Sequence, residues 1–233
     1  MMLRPGLILK PHPGSRLAFE YFCFRSHEMV GELDAFSQIA KGKQAFMDIG
    51  ALHGLFSLVF KSINEKGEAL AFDPSPIAFQ RLLYNVHKND FQYINPFEIA
   101  LSNEEGQLEM SYVWEHLVAN SDPDATTVRI PKRKGDDICA EQGFIPDLIK
   151  IDVEGHEWKV IQGLDDTISK HHPLIFLELH PDRIEQEGDS LNEIFEYFYD
   201  RAYKVYSLQG QEIVPDRLKE DRIILSTKEI TVL

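Results

Sequence analysis

Short, densely apolar runs alternate with longer amphipathic ones along this chain, and the apolar runs end in glycine, proline or acidic residues. Ala45-Phe46-Met47-Asp48-Ile49-Gly50 reads as a buried strand closed by a glycine turn, and Leu55, Leu58, Val59 and Ile63 follow at helical spacing. Residues 69–72 (ALAF) form a second strand, closed by Asp73-Pro74-Ser75-Pro76. Phe79, Leu82, Leu83 and Val86 then lie three and four apart, which predicts an amphipathic helix. Residues 148–164 (LIKIDVEGHEWKVIQGL) repeat the form as a strand, an acidic turn and a helix with Trp158 and Ile161. Another buried strand at 174–179 (LIFLEL) ends in His180-Pro181. This alternation predicts an α/β fold, a mostly parallel sheet covered by helices on both faces.

Around these units the pattern is weaker. Met29, Leu33, Phe36, Ile39 and Ala40 predict a helix over 27–40, while residues 1–25 read as an irregular or short-stranded cap. Pro96 blurs a third strand, at 91–94 or 97–101. Residues 107–113 and 126–130 suit an inserted antiparallel hairpin around the polar segment 115–125. A helix over 190–201 and strands at 203–208 and 222–227 complete the chain. The organisation expected is a cap and lead-in helix over 1–44, then a single compact domain over 45–233.

Composition narrows the class. With 233 residues, 43% apolar and 27% charged, the chain can bury a full core, which excludes a disordered protein. Lys and Arg number 24 against 38 acids, a net charge of −14, which disfavours a broad nucleic-acid surface. Cys23 and Cys139 make neither a disulfide scaffold nor a zinc spacing, and fit a reducing, cytoplasmic compartment. No apolar run approaches the roughly 20 residues of a transmembrane helix, and no signal peptide is read at the N-terminus. GxSxG and Walker motifs are missing too, which lowers hydrolase and nucleotide-triphosphatase readings. No metal site is predicted.

In open α/β sheets, ligands bind beyond the carboxyl ends of the strands. Gly50 and Gly54 allow a tight turn and close approach there, without the GxGxxG fingerprint of dinucleotide sites. Asp48 beside them would repel a pyrophosphate but suits an amino group or a sulfonium, favouring S-adenosyl-L-methionine over NAD. Asp73, ending the next strand, can accept both hydroxyls of a ribose, or can cap the helix that follows. Asp152 and Glu154 share one face if strand alternation continues through them, and are expected in the ligand pocket. Glu157 reads as a helix-seeding residue and His156 as exposed on the turn. His180 can remove a proton from an incoming hydroxyl, oriented by Glu178, or can be a structural histidine. His53 holds a similar position after the first strand. Arg129, Lys132, Arg133 and Lys134 form either an anion-attracting patch or a solvated loop, and Tyr112 and Trp114 are candidates to line an acceptor cleft.

Together, FMDIGALHGLFSL (46–58), AFDPSPIAFQRLLYNVHKN (71–89), EIALSNEEG (98–106), LIKIDVEGHEWKVIQGL and LIFLELHP resemble, in order and spacing, the FkbM-type family of S-adenosyl-L-methionine-dependent methyltransferases. The resemblance runs from about Ala45 to Pro181. It implies a Rossmann-like three-layer sandwich on a seven-stranded sheet. Asp48, Gly50, Ala51 and Gly54 match the family's donor-binding turn, with Leu52 in place of the usual asparagine and His53 also unusual. Asp73 matches its ribose-binding acid, usually glutamate. Asp152 and Glu154 match its acidic turn and His180 its terminal histidine. The activity implied is methyl transfer to an oxygen of a small-molecule or sugar-like acceptor, with His180 and Glu154 as the candidate catalytic groups. A non-catalytic donor-binding or regulatory protein on the same fold is the alternative.

Overall fold

The computed structural model describes residues 2–4, 7–113, 116–119, 127–214 and 221–232. Two short antiparallel strands, β1 (Met2–Arg4) and β2 (Leu7–Ile8), open the chain, followed by helix α1 (Arg16–Glu20), one π-helical turn over Tyr21–Arg25, and helix α2 (His27–Ile39). The first strand–helix units are β3 (Ala45–Ile49), α3 (Leu55–Ile63), β4 (Glu68–Phe72), α4 (Pro76–Lys88) and β5 (Ile94–Phe97). An insertion follows: β6 (Ala100–Leu101), β7 (Gly106–Val113), β8 (His116–Ala119) and β9 (Thr127–Arg133). The second half runs α5 (Gly135–Gln142), β10 (Leu148–Ile151), α6 (Glu157–Gln162), α7 (Asp165–His171) and β11 (Leu174–Glu178). It ends with α8 (Pro181–Gln186), α9 (Leu191–Tyr199), β12 (Lys204–Tyr206) and β13 (Arg222–Ser226).

The main sheet has seven strands in the order β12-β13-β11-β10-β3-β4-β5, with only β13 antiparallel to its neighbours. Chain order reverses between β3 and β10, so the topological switch point lies between these two central strands. Period-two alternation sorts their side chains into two cores. Phe46, Leu148, Phe176 and Ile224 pack with Leu33 and Phe36 of α2 and Phe56, Val59 and Phe60 of α3. Met47, Ile49, Ile149, Ile151 and Ile175 pack on the opposite face with Ile138, Val160, Ile168 and Ile194. Both faces are covered, which is why these strands read as near-continuous apolar runs. Among the described residues no helix is long and apolar enough to cross a membrane.

Two expectations change in detail, and three helices are added. The third strand is split into β5 and β6, and Pro96 is accommodated because β5 is the sheet's edge. The expected hairpin exists as β7 paired with β9, but belongs to a separate four-stranded sheet, β6-β9-β7-β8. Helices α5, α7 and α8 leave no clear apolar period in the sequence. They are short and polar, with few buried residues each.

At the switch point the backbones nearly touch. A Cβ added to Gly50 would lie 1.7 Å from the carbonyl oxygen of Asp152, and Gly50 has φ +79°. Gly42 has almost the same φ, +77°, yet open space around it. Gly42→Ala should therefore cost about 1 kcal/mol, the backbone penalty alone. Gly50→Ala should cost at least about 3 kcal/mol in urea unfolding, since steric overlap adds to that penalty; similar losses at both sites would show that the close approach is unimportant.

Candidate active site

One face of the sheet changes character along its strands. Below, it carries Phe46, Leu148 and Phe176; towards the carboxyl ends, the same alternation brings Asp48, Lys150, Asp152, Glu178 and Arg222 to that face. Lys150 is central, on β10, and only 2% exposed. Its Nζ donates to Asp152 Oδ2 at 2.9 Å and stands 4.6 Å from the centroid of the Phe56 ring. Burial opposes its charge, but Asp152, Asp48, Glu32 and Glu178 outweigh burial and raise its pKa. Burial likewise pushes Asp152 up, and the Lys150 charge and hydrogen bond, with His180 and Arg222, hold it below the usual carboxylate range.

A cleft enclosing about 730 Å³, open solvent included, lies above β3, β4 and the insertion; Gly50, Asp73, Ile99, Leu101, Met110 and Asp152 are on its wall. A smaller cavity of about 350 Å³ adjoins it, walled by Phe19, Phe22, His53, Phe56 and Lys150. Gly50, Leu52 and Asp152 line both.

Asp73 is buried in the larger cleft. Its Oδ2 accepts from the Leu52 N–H at 2.7 Å and its Oδ1 from the Ser75 N–H at 2.9 Å. Burial raises its pKa to about 7 despite these donors. Ser75, not Asp73, caps α4, accepting from Ala78 N with Pro76 in the first turn. Each Asp73 oxygen therefore retains a lone pair beyond its backbone partner. Leu52, which brings its N–H to Asp73, adopts φ +48°.

Asp48 is placed differently from expectation. It is fully buried and walls neither cavity; its Oδ2 accepts from the backbone N–H and hydroxyl of Ser57, at 3.0 and 2.6 Å, which ties β3 to the first turns of α3. Burial raises its pKa. The carboxylate supports the turn from beneath. Ala51 is anchored by its N–H to the Phe72 carbonyl, and Gly54, φ +82°, forms the N-cap of α3 against Leu82.

The acidic turn also needs correction. β10 ends at Ile151, and Glu154 has φ +57°, so strand alternation does not bring Asp152 and Glu154 together. The turn does so, around His180. His180 Nδ1 lies 2.8 Å from Glu157 Oε1, and Nε2 lies 3.3 Å from Glu154 Oε2 and 4.0 Å from Glu178 Oε1. Burial would lower the imidazole, but the Glu157 hydrogen bond and charge, with Glu154 and Asp152, carry it up to about 9. Glu154 Oε2 is also bonded to Arg183. Glu178 is paired with Arg222 at 2.6 Å, and Arg222 reaches Glu28 and Glu32 of α2 as well. Asp152, Glu178 and His180 bring donor atoms within 4.8 Å of one another. Lys150 is bonded to Asp152, Arg222 to Glu178, and His180 is held by Glu157 and Glu154, so these residues form an internal ion-pair network.

Other expectations separate. His156 is buried, not exposed; burial, with Lys159 and Lys132, lowers it to about 4, and Nε2 lies 3.1 Å from Ser102 Oγ. Arg129, Lys132 and Arg133 are paired with Glu109, Glu104 and Glu141, and Lys134 beside them is exposed. His53 lies 3.2 Å from Arg81 and walls the smaller cavity. Trp114 lies outside the described residues, as does the Tyr112 side chain.

The Methyltransferase FkbM domain matches residues 48–205, which span the switch point, the insertion and both acidic strand ends. The chain belongs to the FkbM methyltransferase family. Among its relatives, the hexuronic acid methyltransferase AglP of Haloferax volcanii is 26% identical over 165 residues, covering 67% of this FkbM chain and 66% of that protein. The 2-O-methyltransferase NoeI of Sinorhizobium fredii is 28% identical over 160 residues, covering 58% of this chain and 63% of NoeI. Both matches thus span less than two thirds of the relative's length. A crystal structure of an FkbM methyltransferase from Methylobacillus flagellatus superposes with a TM-score of 0.53 at 19% identity, over 78% of this chain and 43% of that one. It shares the fold.

Sequence reasoning missed Lys150, Arg222 and Glu32, and favoured a helical role for Glu157. The available signal was a charged residue inside an otherwise apolar strand, as in Leu148-Ile149-Lys150-Ile151, since unpaired charges are seldom buried. Lys150→Met should destabilise the FkbM chain by about 3 kcal/mol or more, because it strands the acids around it. Urea unfolding checks this, and a loss below about 1 kcal/mol would show that Lys150 does not hold the network.

Proposed function

We propose that this chain transfers a methyl group from S-adenosyl-L-methionine to an oxygen of a small-molecule or sugar-like acceptor, by in-line displacement, in the cytoplasm. The observation that carries the reading is the pair of Asp73 oxygens, each with one backbone donor and one remaining lone pair, inside the cleft at the switch point. Two vicinal hydroxyls of a ribose fit that acceptor pair. Gly50, Ile99, Leu101 and Met110 give an apolar wall for the attached base. When bound, the donor supplies a methyl carbon made electrophilic by its sulfonium.

The chain's residues do the rest by position and charge. Asp73 would hold the ribose, and the Gly50–Leu52 turn would pass beneath the ligand. Asp152, on the wall of both cavities and kept ionised by Lys150, supplies a negative charge beside the donor. His180 Nε2 would take the acceptor hydroxyl proton as the oxygen gains its methyl group, a step that needs the neutral imidazole and so makes turnover rise with pH towards about 9. Glu154 is the weaker candidate for that step, since its Oε2 already serves Arg183 and His180. AglP is named for a hexuronic acid and NoeI for methylation at a 2-oxygen, which supports an oxygen acceptor of sugar type.

The ribose hydroxyls donate to the ionised carboxylate, and burial holds the Asp73 carboxyl up to about 7. Below pH 7 binding must displace a proton, so affinity for S-adenosylhomocysteine should weaken up to about tenfold per pH unit there and level off above 7. Asp73→Ala should weaken binding at least about tenfold and flatten the slope, because two charge-assisted hydrogen bonds are lost. Calorimetry across pH tests both, and unchanged affinity in the variant would remove Asp73 from the donor site. His180→Gln should lower methyl transfer by about 10²-fold or more, with donor affinity within about twofold of wild type. That assay uses hexuronic acids and neutral sugars as acceptors; turnover retained by the variant would defeat the base assignment.

A further inference from the structure

Glu157 is a carboxylate with no access to water: it is 0% exposed, at the start of α6. Its Oε1 accepts from the Gly155 N–H at 3.0 Å and meets His180 Nδ1 at 2.8 Å. Among the described residues, His180 is the cationic side chain paired with it. The nearby Lys159 of the same helix is engaged by Asp189 at 2.7 Å. Glu157 Oε2 is buried without a hydrogen-bond partner. Helix seeding does not account for this arrangement, because an acid favouring a helix N-terminus does so equally well from the surface. A buried carboxylate is costly unless a specific charged partner compensates it.

We infer that Glu157 is the positioning residue of His180: it fixes the imidazole ring, keeps a proton on Nδ1, and so leaves Nε2 as the atom that can accept a proton. The inference rests on the proposed role of His180 and adds the residue through which that role is set. A histidine whose Nδ1–H donates to a buried carboxylate carries its neutral lone pair on Nε2, and its orientation is set by the same bond. When the acceptor O–H bond breaks, the proton forms N–H at Nε2, the oxygen takes the methyl group, and the donor leaves as a neutral thioether. Glu157 balances the imidazolium until the proton passes to solvent. Glu154, Asp152 and Glu178 also face the ring, with Arg183 on Glu154, Lys150 on Asp152 and Arg222 on Glu178. Only Glu157 approaches Nδ1 closely.

The ring can be read directly, without an acceptor. In protein with ¹⁵N-labelled histidine, NMR titration of His180 should give a midpoint near 9 and, above it, the Nδ1–H tautomer. Glu157→Gln retains an oxygen for Nδ1–H but removes the charge, and should lower the midpoint by about two pH units, towards the unperturbed histidine value near 6.5. Glu157→Asp keeps the charge at longer reach and should fall between, while Glu185→Gln on the exposed side of α8 should change nothing. An Nε2–H tautomer in the wild-type protein, or an unmoved midpoint in Glu157→Gln, would overturn the inference. If Glu157→Gln does not fold, Glu157→Asp decides the matter: a midpoint unchanged from wild type overturns the inference, and a lowered one upholds it. Because the titration involves no turnover, it fails or succeeds independently of the His180→Gln assay.

Discussion

The ammonium of Lys150 lies in the middle of the sheet, and the surrounding acids are arranged about it. Placing a cation there without partners would cost several kcal/mol in lost hydration. Asp152 at hydrogen-bond distance and the face of Phe56 offset that cost, and Asp48, Glu32 and Glu178 add attraction. In turn the lysine permits four carboxylates to approach one another at the carboxyl ends of the strands. Their spacing would otherwise favour protonation of some of them. Asp152 consequently faces both cavities with its charge retained, and the neighbouring histidine is drawn to the same place.

Much of the scaffold was legible because buried parallel strands write themselves as continuous apolar runs. β3, β4, β10 and β11 are such runs, and α4 carries apolar residues at helical spacing. What alternation alone could not settle was where a strand stops. Treating Asp152 and Glu154 as a continuing strand gave the correct neighbourhood by an incorrect route, since Glu154 turns into left-handed backbone. Short helices such as Gly135–Gln142 escaped notice because they bury few side chains. Asp73 was readable from its place after an apolar run. The Glu157–His180 contact was not, because 23 residues and a complete strand–helix unit separate its members.

Leu52 and Asp73 meet at one turn. Leucine occupies position 52, yet the backbone there is left-handed, a conformation that asparagine tolerates and that costs most other residues about 1–2 kcal/mol. The chain keeps the conformation because the Leu52 N–H is held by Asp73 and the flanking Gly50 and Ala51 N–H groups by Phe72. Asp73 and the strained leucine are therefore one arrangement, in which the carboxylate on the cleft wall also holds the turn. Leucine also contributes a hydrocarbon surface to the walls of both cavities.

The guanidinium of Arg222 joins parts of the chain made at very different times. Its partner Glu28 is 194 residues away, and Glu32, another partner, is almost wholly buried. During synthesis α2 emerges early, but Glu32 then has no cation with which to leave water. Its helix can form and associate loosely with α3, while the final seating of the acidic side has to await β13. The order of translation thus separates hydrophobic collapse on that face from its electrostatic closure.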